Sequence, residues 1–199
     1  MKRTSFQTRK ANSEKTTKNL LEHKKSQKRR PKLKYYHYIA GLEDDMARFG
    51  YEEREMVAYR ILNPPPQSAD FVPQIFMPDR AVPVKYYPPD MLKAMPDRHK
   101  QRRLSESGLS FFDTPEHAEQ AARQRDRNKA KKGLSTDERK QMRESFGRQV
   151  SKLQLKKCDG LSTLPDEKGH IDFLPYEGVR FEERVDLRFE YTITYEDDE

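Results

Sequence analysis

The densest chemistry in this sequence is cationic. Lys24-Lys25-Ser26-Gln27-Lys28-Arg29-Arg30-Pro31-Lys32-Leu33-Lys34 crowds seven Lys and Arg into eleven residues. Residues 1–34 hold thirteen Lys and Arg against Glu14 and Glu22, a net of +11, so that residues 35–199 sum to −4 in a chain of net charge +7. Apart from Leu20, Leu21, Leu33 and a lone Phe6, this stretch has almost nothing to bury. It is expected to stay disordered until a partner neutralises it. Polyanions suit that role, because every phosphate contact releases condensed counterions. Lys24, Lys25, Lys28, Arg29, Arg30, Lys32 and Lys34 are therefore candidate contacts to nucleic-acid phosphates, without base specificity. Arg98-His99-Lys100-Gln101-Arg102-Arg103 adds a second basic patch, in which Arg98, Arg102 and Arg103 are the candidates, and a third cluster runs from Arg123 to Lys132. Tyr35, Tyr36 and Tyr38 stand at the root of the arm, either to stack on bases or to form the edge of the core.

Other chemistry is sparse. Cys158 is the one cysteine, which excludes an internal disulfide framework and indicates a cytoplasmic or other reducing compartment. Lys156 and Lys157 flank it and would favour a thiolate, with His170 as a conceivable partner; an unreactive thiol is the simpler reading. Eight glycines never take the spacing of a phosphate loop or a dinucleotide fingerprint. One cysteine and five scattered histidines supply no zinc spacing, so no metal is expected. No apolar run approaches the length of a membrane span, and Met1-Lys2-Arg3 is not followed by a signal-peptide core. In a eukaryotic cell the cluster at 24–34 would also serve as a nuclear address.

A third constellation reaches across the chain. Tyr59-Arg60 lies on a predicted strand, Gly108-Leu109-Ser110-Phe111-Phe112 runs into a predicted helix at Asp113-Thr114-Pro115-Glu116-His117-Ala118, and Glu190 lies near the C-terminus. In that order these segments resemble the ADP-ribosyltransferase superfamily. The resemblance covers about thirty residues. It implies an enzyme using NAD, in which Arg60 and Ser110 hold the cofactor and Glu190 steadies an oxocarbenium-like transition state. The pattern departs from the family where Arg60 is followed by Ile61-Leu62 and where Leu109-Ser110-Phe111 replaces paired serines.

The elements that position these residues are legible from periodicity and caps. Leu42, Met46 and Phe49 recur at helical spacing before Gly50, predicting a short helix. Met56–Leu62 alternates Val57, Tyr59 and Ile61 as a strand ended by Asn63-Pro64-Pro65-Pro66. Residues 63–97 interleave prolines with aromatics and read as extended chain, lying across the domain or along a partner. Thr114 and Pro115 open one helix, and the Ser135…Glu138 spacing opens another. Ile171 and Phe173 alternate after a Gly169-His170 turn. Val185, Leu187, Phe189, Tyr191, Ile193 and Tyr195 predict a long C-terminal strand. The sum is an α+β protein: a basic flexible arm over 1–34, then a single domain over 35–199 with a small, mostly antiparallel sheet and packed helices.

Function follows the charge. The arm points to a non-enzymatic binding protein for nucleic acid or another polyanion, with no cofactor and no membrane, working within a larger assembly. The NAD-dependent transferase and a structural subunit that wraps a protein partner with 63–97 are the alternatives.

Overall fold

In the computed structural model the described residues are 31–76 and 85–195. Lys24, Lys25, Lys28, Arg29 and Arg30 fall outside them, as do 77–84 in the proline-rich segment and the acidic residues 196–199. Five α-helices and five strands are formed among the described residues: α1 Glu43–Arg48, β1 Met56–Leu62, α2 Pro89–Ala94, α3 Asp97–Glu106, β2 Leu109–Phe112, α4 Pro115–Lys131, α5 Thr136–Phe146, β3 Gln149–Leu155, β4 Gly160–Ser162 and β5 His170–Pro175. The strands make one antiparallel sheet in the order β3-β1-β2-β5-β4. This is the α+β architecture that the sequence predicts.

Local chemistry explains most boundaries. Gly50, with φ of 81°, follows α1 where an L-residue would be strained. The Thr114 hydroxyl accepts from His117 N at 3.1 Å, with Pro115 in the first turn of α4. Ser135 and Glu138 close a reciprocal capping box on α5, the Ser135 N–H donating to the carboxylate at 2.8 Å.

The sheet is buried on both faces. Ala58, Leu62, Leu109, Phe111, Leu153, Ile171 and Phe173 fill one face, and Phe71 and Phe181 cover them from the short 3-10 helices Ser68–Phe71 and Phe181–Arg184. Phe112 and Val150 point the other way, with Tyr59 and Ile61, beneath Ala118 and Ala122 of α4. Leu174 joins a further cluster under the first three helices, with Ile39, Leu42, Met46, Leu92 and Leu104. The core face of β1 is its even-numbered one, with Ala58 and Leu62 buried, whereas the odd-numbered set that its alternation singles out is only partly covered and Val57 is exposed.

Three expectations are revised. First, the compact unit starts at Lys32. Leu33 is buried beside Tyr176; Glu177 N donates to Lys32 O at 2.8 Å and Lys34 N to Pro175 O at 2.9 Å. Lys32–Lys34 thus belong to the sheet edge, leaving +9 before Lys32 and −2 from there on. Second, 63–97 is not extended throughout. Pro89 initiates α2, which a proline can do in a first turn, while Phe71, Pro73 and Ile75 pack onto their own chain. Third, 185–195 is not one strand. Asp186 N donates to Lys152 O, but Asp186 then closes a turn, its Oδ1 accepting from Arg188 N and its carbonyl from Phe189 N, which leaves Leu187 78% exposed. Edge pairing resumes at Tyr191 and Ile193. The Glu119 carboxylate of α4 fixes this stretch through the Tyr191 hydroxyl and Thr194 N. No helix among the described residues is long and apolar enough to cross a membrane.

Candidate functional site

The arm enters the body through a cluster of rings and cations. After Lys34, the chain turns through a short 3-10 helix, Tyr36–Tyr38, that presents alternate rings. Tyr35 stacks on Phe76 with centroids 4.3 Å apart and planes 15° from parallel. Tyr38 leans on the same Phe76 at 4.5 Å, and His37 on Tyr38 at 4.0 Å. Lys34 Nζ lies 5.6 Å from the Tyr35 centroid and Lys85 Nζ 5.0 Å from that of Tyr87. Tyr36 turns aside, its hydroxyl donating to Glu43. Burial raises the Tyr35 hydroxyl pKa, so the ring stays neutral near pH 7. Lys34, His37, Lys85 and Tyr86 are exposed.

The cations of α3 divide by role. Arg103 is buried and acts as a tie: Nε donates to Tyr38 O at 3.1 Å and Nη2 to Lys85 O at 2.8 Å, with the guanidinium about equally close to Tyr38 and Tyr87. It organises the aromatic surface and is not available to a phosphate. Arg102 pairs with Glu106 at 2.7 Å, and Lys32 with Glu177 at 3.5 Å. Arg98 is exposed beside them in sequence. His37, Phe76, Lys85 and Tyr87 are the members that sequence reasoning missed as site residues; for the last three, aromatics among prolines were the available signal.

Arg60 and Ser110 also meet, at a groove of about 280 Å³ that both line. Arg60 Nη1 donates to the Ser110 carbonyl at 2.6 Å, while Nε and Nη2 share the Asp70 carbonyl at 3.1 and 2.9 Å. Burial pushes its pKa down to about 10; Asp70 opposes the shift and Arg125 adds to it. Glu190 is exposed on the segment beside β3 and does not line this groove. The three residues of the transferase-like constellation are thus not gathered at one cleft. Cys158 is exposed with Sγ 3.7 Å from Asp159 Oδ1, whereas His170 packs edge-on against Phe112 and lies 3.9 Å from Asp172. Neither is set to activate the other. No group of three or more His, Cys, Asp or Glu among the described residues could hold a metal.

Comparison with protein-family models, curated proteins and solved structures returned no match to this chain.

Proposed function

We propose that this protein binds single-stranded nucleic acid: the basic arm takes the phosphates and the ring cluster at its root takes unstacked bases. The observation that supports this reading is the continuity of the two chemistries. A leader of net +9 passes directly into Lys34, Tyr35, His37 and Tyr38, backed by Phe76, Lys85 and Tyr87. Phosphate contacts supply affinity that is blind to sequence, and aromatic faces add stacking that tolerates any base. Duplex DNA hides its base faces, so a surface of this kind favours a single strand.

The test is fluorescence anisotropy with a labelled single-stranded oligonucleotide and its duplex. Tyr35→Ala is expected to weaken the single-strand complex about 5- to 150-fold, the range of one lost stacking contact. Duplex binding should change little. Equal losses on both substrates, with the fold intact by circular dichroism, would remove the stacking role.

A further inference from the structure

The groove beside Arg60 is separate from the ring cluster, and it arises from an interruption in the sheet. β1 pairs with β3 from Met56 to Leu62, and β2 pairs with β5 along its whole length. Between β1 and β2 only Tyr59↔Phe112 is in register. The two strands part beyond that pair, and the Arg60 guanidinium bridges the gap to the Ser110 carbonyl. Its hydrogen-bond partners are neutral carbonyls of Asp70 and Ser110, and a guanidinium has more N–H donors than these bonds use.

A second guanidinium lines the same space. Arg125, on α4, is exposed; its charge centre lies 5.2 Å from the Phe146 ring, and it makes no hydrogen bond or ion pair among the described residues. Of the three lining serines, Ser105 donates its hydroxyl proton to Asp172 Oδ1 at 2.8 Å and Ser145 to the Met142 carbonyl at 2.9 Å, which leaves the Ser110 hydroxyl as the unengaged donor among the described residues. Two carboxylates also line the groove, and both are engaged. Asp70 accepts from Gln67 N at 2.8 Å, and Glu106 accepts from Arg102 at 2.7 Å. Arg60 keeps the Asp70 carboxylate as a charge neighbour, whereas Arg125 has no carboxylate in ion-pair reach among the described residues, so a guanidinium with spare N–H donors beside an unpaired one can take an anion. A dianion suits them better than the single charge of an internal phosphodiester.

We infer that this groove binds the terminal phosphate of a phosphomonoester, with Arg60 and Arg125 as its two cations. Its volume exceeds that of phosphate alone, and Phe112 and Phe146 offer apolar wall to the group that carries the phosphate. Two sources share this chemistry: a free nucleotide and the phosphorylated end of a nucleic-acid strand.

Isothermal titration of the full chain with adenosine 5′-monophosphate and with adenosine tests the inference. The monophosphate is expected to bind at least about tenfold more tightly, and Arg125→Gln is expected to erase that difference. Arg125 is exposed and outside the hydrophobic core, so this variant should fold; Arg60→Lys, which retains charge but loses the fork, is a second variant expected to weaken the monophosphate. Oligonucleotides with and without a 5′-phosphate separate the sources. A gain from the 5′-phosphate that Arg125→Gln removes assigns the site to strand ends, and a gain confined to the mononucleotide assigns it to free nucleotide. Equal binding of adenosine and its monophosphate, or wild-type monophosphate binding by Arg125→Gln, would overturn the proposal. Repeating the titration with the arm cations replaced by Gln keeps this result distinct from the fate of the strand-binding reading.

Discussion

Two truncations, differing by three residues, locate the junction between arm and body. Deleting residues 2–31 removes the arm's cations and leaves the Lys32–Glu199 unit whole. Deleting 2–34 also removes the buried Leu33 side chain and three backbone hydrogen bonds, Glu177 N to Lys32 O, Lys34 N to Pro175 O and Tyr36 N to Leu33 O. Burial of one leucine contributes about 1.5–3 kcal/mol, and each exchanged backbone hydrogen bond about 0.5–1.5 kcal/mol. The longer deletion should therefore cost about 3–7.5 kcal/mol more than the shorter one, a large part of the stability of an ordinary domain. Urea unfolding followed by tyrosine fluorescence measures this directly, since the chain has no tryptophan. With a slope of about 2 kcal/mol per molar urea, the midpoints should differ by about 1.5–4 M. Coincident midpoints would show that Lys32–Lys34 contribute nothing to the sheet edge. An unfolded 2–31 deletion would show that the body depends on the arm.

Neutralising Lys24, Lys25, Lys28, Arg29 and Arg30 to Gln should flatten the dependence of single-strand affinity on salt, by about 3.5 in the log–log slope if each cation meets one phosphate. Anisotropy titrations at several salt concentrations read this; an unchanged slope would place the phosphate contacts elsewhere. Gly147→Ala should destabilise the fold by at least about 1–3 kcal/mol, because φ is 100° and a Cβ would meet the Leu62 carbonyl group at 2.6 Å. Chemical denaturation checks it, and a neutral result would mean that the turn into β3 yields easily. Acid should also weaken the body. Burial works to raise the Asp126 carboxyl, but hydrogen bonds from Arg143 and Arg139 outweigh it and hold the pKa below its ordinary value. Glu119 is likewise lowered, with burial again opposed by Thr194 N, the Tyr191 hydroxyl and Arg123. A depressed carboxyl contributes stability above its unfolded pKa of about 4 and loses it as pH falls through the lower folded value. Thermal midpoints should drop below about pH 4, and Asp126→Asn should make that acid limb shallower.

What could be read in the sequence was what local chemistry decides. The Thr114-Pro115 start, the Ser135 capping box and the Met56–Leu62 strand depend on neighbours within a few residues, and each is found in place. Failures came where distant partners decide. The alternation from Val185 to Tyr195 has the period of a strand, but Asp186 can close a local turn, and only one edge of β3 is there to pair with. Leu187 is consequently exposed although Ile193, in the same pattern, is buried. Charge was equally ambiguous. Arg98, Arg102 and Arg103 read alike as one basic patch, yet Arg103 is consumed by two carbonyls and two rings, and Arg102 by a carboxylate one turn away. Arg60 meets Ser110 through the Ser110 main-chain carbonyl, a contact that strand placement decides and residue type does not announce. Its companion Arg125 was missed, because the wedge that gathers them depends on where β1 and β2 part.

The division of charge supports an outward role for the arm over an intramolecular one. A body of net −2 invites the simpler idea that its own carboxylates neutralise the leader. The least exposed of those carboxylates are already engaged. Asp126 holds Arg139 and Arg143, Asp45 holds Arg48 and Lys100, Glu119 holds Arg123, and Asp159 takes Arg184. Recruiting any of them would strand a guanidinium or ammonium in a partly buried position, a cost that exposed pairing with a lysine does not recover. What remains on the same chain is the run Glu196-Asp197-Asp198-Glu199, four acids against eleven arm cations, and single solvated carboxylates that are each worth little in salt. A nucleic-acid strand offers closely spaced phosphates with counterions to release, and it can carry its bases to the rings that follow Lys34. On the proposed reading the leader gains more from a strand than from scattered carboxylates, and the ring cluster begins where its run of cations ends.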